Sequence, residues 1–134
     1  MTRLKVLMAD DEPDVLTIMA KKVIAAGYDV IMATDGQQAW DKIVADDPDV
    51  ILLDVTMPKL DGFEVLKRLR ENPPSKKWQP VIIVSAREEL QDIQKGFLLE
   101  ADHYLTKPCN MEDVINAIRL MAKLIPQHKA HGED

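Results

Sequence analysis

Val50-Ile51-Leu52-Leu53-Asp54-Val55-Thr56-Met57-Pro58, with Asp61-Gly62 close behind, decides the fold. An apolar run this short, opened by two β-branched residues, reads as a strand covered on both faces, which is how parallel strands are built. Its terminal carboxylate, Asp54, is thereby delivered to the carboxyl edge of a sheet, where open α/β folds place their chemistry. Three other predicted strands also finish in polar groups. The first ends in Asp10-Asp11, the fourth in Ser85, and the fifth runs into Lys107-Pro108.

Outward from that run, short apolar stretches alternate with segments of helical period. Leu4 to Ala9 predicts a strand. Pro13 then stands at a favourable first-turn position, and Val15, Ile18, Met19, Val23 and Ala26 predict one apolar helix stripe that Gly27 stops. Tyr28 to Ala33 predicts the second strand, and Gln37 to Ala45 a helix with Ala39, Trp40, Ile43 and Val44 inward. Phe63, Val65, Leu66 and Leu69 mark a third helix ending before Asn72-Pro73-Pro74. Pro80 to Val84, Glu89 to Leu99 and Asp102 to Leu105 predict strand, helix and strand. Asn110 can cap a last helix, along which Val114, Ile115, Ile118, Met121, Ala122 and Ile125 recur.

Five strand-helix repeats joined by right-handed crossovers predict an α/β fold. It is a doubly wound parallel sheet of the flavodoxin-like (βα)5 kind, with strand order 2-1-3-4-5. Residues 1–125 form the predicted domain. The stretch from Pro126 to Asp134 is polar and aperiodic and reads as a flexible tail or the start of a linker.

Composition narrows the class. With 46% hydrophobic and 30% charged residues in 134, the chain is too apolar for disorder and of the size that builds one core. A net charge of −6 argues against a basic nucleic-acid surface. There is no apolar stretch of about 18 residues and no signal-peptide pattern at Met1-Thr2-Arg3-Leu4, so the expectation is a cytoplasmic protein without membrane contact. Cys109, the single cysteine, fits a reducing compartment and reads as a small packing residue before a redox group.

In the predicted strand order the first and third strands straddle the switch point, which sets Asp10 and Asp11 opposite Asp54. Three carboxylates at one edge repel, so some protonate or a cation lies between them. Mg²⁺ answers that description, since zinc would call for Cys or His ligands that this edge lacks. Lys107 can set a compact positive charge against phosphate oxygens and Ser85 can donate a hydrogen bond, so the set suits phosphoryl transfer to Asp54.

These motifs resemble the receiver domains of two-component response regulators, the chemotaxis-regulator type included. The resemblance covers about Leu4 to Ile125. It rests on Asp10-Asp11-Glu12-Pro13, Leu52-Leu53-Asp54 with Met57-Pro58 and Asp61-Gly62, Val84-Ser85-Ala86, and Tyr104-Leu105-Thr106-Lys107-Pro108. It implies that Asp54 accepts a phosphoryl group from a phosphohistidine on a sensor histidine kinase or a histidine phosphotransfer protein. It implies Mg²⁺ held by Asp11, Asp54 and the Thr56 backbone carbonyl, with Asp10 acting through water. Ser85 and Lys107 would grip the phosphate, Ser85 and Tyr104 would switch, and Thr56 and Arg87 would tune hydrolysis. The Lys107-Pro108 bond would be cis. A downstream protein would be met on the face of the fourth helix, fifth strand and fifth helix, and whether phosphorylation pairs two copies is left open. Such a chain is not an enzyme beyond its own phosphotransfer and autodephosphorylation.

Two departures stand out. Glu100 occupies a position where glycine is common in that family, so either the local turn differs or Glu100 takes an unusual backbone conformation, and Cys109 stands where a Phe often packs. Two other functions compete. A haloacid-dehalogenase-type phosphatase would carry a second Asp two residues after the nucleophile, where this chain has Thr56. A phosphorylation-independent binding module would lack part of the acidic pair, the Asp or the Lys, and this chain retains all of them.

Overall fold

Val50–Leu53 is the third of five strands and is buried on both sides, each of its four residues at most 3% exposed. The computed structural model describes residues 3–86 and 90–132, with side chains described as far as residue 126. The elements alternate strictly: β1 Lys5–Ala9, α1 Pro13–Ala25, β2 Asp29–Ala33, α2 Gly36–Asp46, β3 Val50–Leu53, α3 Gly62–Glu71, β4 Val81–Ser85, α4 Leu90–Leu98, β5 His103–Thr106 and α5 Met111–Gly132. All strand pairs are parallel and the order is β2-β1-β3-β4-β5, the predicted flavodoxin-like topology.

The two-residue period of the strands divides the core. Leu7, Ile51, Leu53 and Ile83 pack on one face with Ala39, Ile43, Phe63, Leu66 and Leu69 from α2 and α3. Val6, Met8, Leu52 and Val84 face the other way, against Leu16 and Val23 of α1 and Val114, Ile118 and Met121 of α5. Each large aliphatic side chain taken out of water in this way contributes about 1.5–3 kcal/mol.

Helix boundaries follow local chemistry. Pro13 opens α1, the Asp35 carboxylate accepts from the Gln38 amide at 2.7 Å, and Asp61 and Glu64 form a reciprocal capping box on α3. Asn110 caps α5 by accepting from the Asp113 amide at 2.8 Å. Opposite the functional edge, Arg70 donates to the Glu100 carbonyl, the Gln79 carbonyl and the Asp102 carboxylate, tying the end of α3 to the starts of β4 and β5.

The structure corrects three sequence expectations. In α1 the buried face is Leu16, Ala20 and Val23, while Val15 and Ile18 are exposed; in α2, Val44 is exposed and Trp40 half-buried beneath the Arg68 guanidinium. A helix laid on a sheet buries a narrow stripe, and these helices carry more apolar residues than that stripe holds. Residues 126–132, expected as aperiodic chain in a flexible tail or the start of a linker, are helical, because α5 continues through Pro126 to Gly132. Proline removes its own helical N–H bond, and the residues after it still have N–H groups to extend the ladder.

Candidate functional site

The parallel register places the ends of β1 and β3 side by side, with Ala9 opposite Leu53, so the residue after each strand emerges at the same edge. Those residues are Asp10 and Asp54. Both are more than nine-tenths buried, while neighbouring Asp11 is exposed, and the three can present carboxylate oxygens all within 4.8 Å of one another. Each backbone is anchored by the sheet: the Asp10 amide donates to the Ala33 carbonyl at 3.1 Å and the Asp54 amide to the Ala9 carbonyl at 3.0 Å. Asp10 Oδ1 accepts from the Glu12 amide at 2.9 Å and Asp54 Oδ1 from the Thr56 amide at 3.2 Å, leaving each carboxylate its second oxygen.

Lys107 meets both second oxygens. The Lys107 amide donates to the Ser85 carbonyl at 2.7 Å just beyond the β4 and β5 pairing, and the Lys107-Pro108 peptide is cis. Lys107 Nζ then lies 3.0 Å from Asp10 Oδ2 and 3.1 Å from Asp54 Oδ2. Carboxylates separated by 4–5 Å near a protein surface repel by about 3–4 kcal/mol, so a bridging ammonium offsets much of the cost of the cluster.

Burial raises the Asp54 carboxyl above its ordinary value of 3.8, helped by the Asp10 charge and opposed by the Lys107 ammonium and the Thr56 amide. The apolar surroundings are explicit. A small crevice, partly open to solvent, is lined by Asp10 and Asp54 together with Met8, Leu16, Leu52 and Val84. Burial works against the Lys107 ammonium too, but the hydrogen bonds and charges of Asp10 and Asp54 outweigh it and hold its pKa above 10.5.

The donor set fits a hard cation. It consists of oxygen atoms, with no His or Cys among the described residues of the cluster, and its spread accommodates an octahedral shell of about 2 Å radius with water completing it. Thr56 is exposed beside Asp54, which leaves its backbone at the mouth of the site. Ser85 is fully buried at the end of β4.

Tyr104 is half-buried on β5, in the core cluster that contains Phe63, and its ring lies under α4. A Cβ at Gly96 would fall 3.1 Å from Tyr104 Cδ2. Arg87 lies outside the described residues. Cys109 is half-buried against the second core and burial pushes its thiol up, which accords with a packing role.

The family model for the response regulator receiver domain matches residues 6–119. The chain belongs to the response regulator receiver family. Among curated proteins, this receiver is 42% identical over 110 residues to the alkaline phosphatase synthesis transcriptional regulatory protein PhoP of Bacillus subtilis, covering 82% of this chain and 45% of that one. It is 36% identical over 132 residues to the DNA-binding dual master transcriptional regulator RpaA of Synechocystis, covering 96% of this chain and 54% of that one. The receiver thus spans about half the length of these relatives. Among solved structures, the receiver domain of Francisella response regulator 1452 superposes with a TM-score of 0.84 at 35% identity, over 90% of this chain and 98% of that one.

One close contact of the site's loop could not be seen in the sequence. Gly36, the first residue of α2, lies against the loop that follows Asp54. An Asp-Gly pair at a helix start hints at a tight approach, but the partner becomes visible only in three dimensions.

Proposed function

We propose that this receiver is a phosphorylation-activated switch in which an Asp54 carboxylate oxygen attacks the phosphorus of a phosphohistidine. The N–P bond breaks, the histidine leaves, and an aspartyl phosphate remains. The observation that carries this reading is the meeting of Asp10, Asp11, Asp54 and Lys107 at one sheet edge. The phosphoryl donor is a sensor histidine kinase or a histidine phosphotransfer protein.

Asp11, Asp54 and the Thr56 carbonyl would hold Mg²⁺, with Asp10 reaching it through water. When bound, the ion supplies charge neutralisation for the phosphoryl oxygens. Lys107, already in contact with Asp54, is placed to follow the carboxylate's charge onto the phosphoryl group. Ser85 would donate its hydroxyl to a phosphoryl oxygen. Thr56 and Arg87 would set the rate at which water hydrolyses the acyl phosphate, the chain's own turnover, with no separate substrate consumed.

Output would pass through α4, β5 and α5, where Leu90, Phe97, Leu98 and Leu120 are exposed. A phosphoryl group can bias that face only through contacts that differ between two states, and Ser85 and Lys107 are the contacts proposed. The partner is a protein in the cytoplasm. Relatives named as transcriptional regulators make control of transcription the favoured consequence, reached through protein contact and not through nucleic acid bound by this acidic domain.

The test is intact-mass spectrometry after incubation with acetyl phosphate, with and without Mg²⁺, on the wild type and Asp54→Asn. One phosphoryl adduct that requires Mg²⁺ and vanishes in the variant supports the reading. No adduct from any donor favours a phosphorylation-independent module.

A further inference from the structure

The loop of residues 54–61 joins β3 to α3 and carries the Thr56 amide that bonds Asp54. Asp61 ties its far end to α3 through the capping box, and the residues before it reach α2. Pro58 and Lys59 are exposed, and Lys59 adopts φ +72°, a left-handed backbone that costs a non-glycine residue about 1–2 kcal/mol. A strained residue persists where its surroundings over-determine it, and here those surroundings are the start of α2. The Leu60 and Gly36 amides both donate to the Pro58 carbonyl, at 2.9 and 3.3 Å. Lys59 Nζ lies 3.6 Å from Asp35 Oδ2.

The closest approach is steric. A Cβ at residue 36 would fall 1.8 Å from the Leu60 carbonyl oxygen and 2.5 Å from the Leu60 Cβ. Gly36 has no left-handed backbone to accommodate, so what glycine provides here is space. Alanine would be the better helix former by about 1 kcal/mol, but any side chain at this position must drive the loop off α2.

We propose that Gly36 is a positioning residue for phosphoryl transfer. By lacking a side chain it lets the first turn of α2 seat Pro58 to Leu60, and so fixes the Thr56 amide and carbonyl beside Asp54. This inference rests on the Mg²⁺-dependent phosphoacceptor reading above, and it assigns part of that site to a helix with no residue in the carboxylate cluster.

The experiment compares wild type with Gly36→Ala in the full chain, using threonine labelled with ¹⁵N, Mg²⁺ titration by calorimetry, and labelling by acetyl phosphate. The expected result is a folded variant whose Thr56 amide resonance moves while that of Thr17, on α1, does not. Its Mg²⁺ affinity and labelling rate should fall on the order of tenfold, as for other groups that orient metal ligands. A variant with lowered Tm but wild-type Thr56 resonance and Mg²⁺ affinity would show that Gly36 serves packing alone and would overturn the proposal. Should Gly36→Ala fail to fold, the pair Asp35→Asn with Lys59→Gln cuts the second tie without adding volume and keeps a capping side chain. A loss of Mg²⁺ affinity in the same direction is expected there, and an unchanged affinity overturns the proposal. Should the wild type take up no phosphoryl group, the functional reading fails, and the Thr56 resonance still decides whether Gly36 positions the loop.

Discussion

Lys107 Nζ stands 3.1 Å from Asp54 Oδ2 and, on its other side, 3.0 Å from Asp10 Oδ2. One ammonium therefore holds two buried carboxylates together. Lys107→Met removes the positive charge and leaves the pair uncompensated. The lysine is itself 28% exposed, so the full penalty of breaking a buried ion pair is discounted, and a loss of about 1–2 kcal/mol is expected in urea denaturation without metal. Adding Mg²⁺ should restore part of that loss. A variant as stable as wild type would mean the carboxylates are relieved by other groups.

Asp54→Asn should act in the opposite direction. Folding raises the Asp54 pKa above 3.8, so its favourable contribution is complete below that value and is lost as pH rises through the raised folded value. At neutral pH the folded state carries an unfavourable charge that asparagine lacks. Without metal, the variant should be more stable than wild type, with a higher Tm, and the advantage should vanish below pH 3.8. A thermal-melt series over pH, with chelator present, checks the sign.

Gly62→Ala offers a steric test next to the phosphoacceptor. A Cβ at this first residue of α3 would lie 2.3 Å from the Asp54 carbonyl oxygen, where the Gly62 amide already donates to the Val55 carbonyl at 2.9 Å. The gain in helix propensity is outweighed by moving backbone, for a net cost of about 1–3 kcal/mol. Denaturant titration measures it. A stabilised variant would show that the approach of α3 to Asp54 is not tight in solution.

Glu100→Gly should stabilise. Glu100 sits at φ +70°, and its carbonyl, which accepts from Arg70 Nε at 3.1 Å, is retained on substitution. Relief of about 1–2 kcal/mol of strain exceeds the added chain entropy of glycine, so a gain of up to about 1 kcal/mol is expected in urea titration.

The topology and the carboxylate cluster were readable because both rest on short-range rules. Val50 to Leu53 can only be a strand covered on both sides, and a parallel register carries the residues after β1 and β3 to one edge. The unusual backbone at Glu100 was readable only through the family resemblance, since it stands where receiver domains commonly have glycine. Contacts that depend on how whole elements approach were not readable. The exposed side of α1 needed the sheet in place to show that Leu16 outranks Val15 and Ile18. Gly36 needed the loop after Asp54 to arrive beside it. The polar, aperiodic stretch after Ile125 suggested an end to α5, because periodicity reports only the face a helix buries and not how far its backbone ladder runs.

Gly96 is the one residue of α4 that is buried, and it rests on the Tyr104 ring, while Leu98 of the same helix is 83% exposed. The consequence belongs to time as much as to shape. Backbone amides trade hydrogen for deuterium when their segment opens, and a segment with few buried apolar contacts opens at a small fraction of the free energy of global unfolding. The amides of α4 will therefore exchange well before those of β3, whose four residues are buried on both faces. The protein carries a fast surface laid against a slow one, and Tyr104 marks the seam between them.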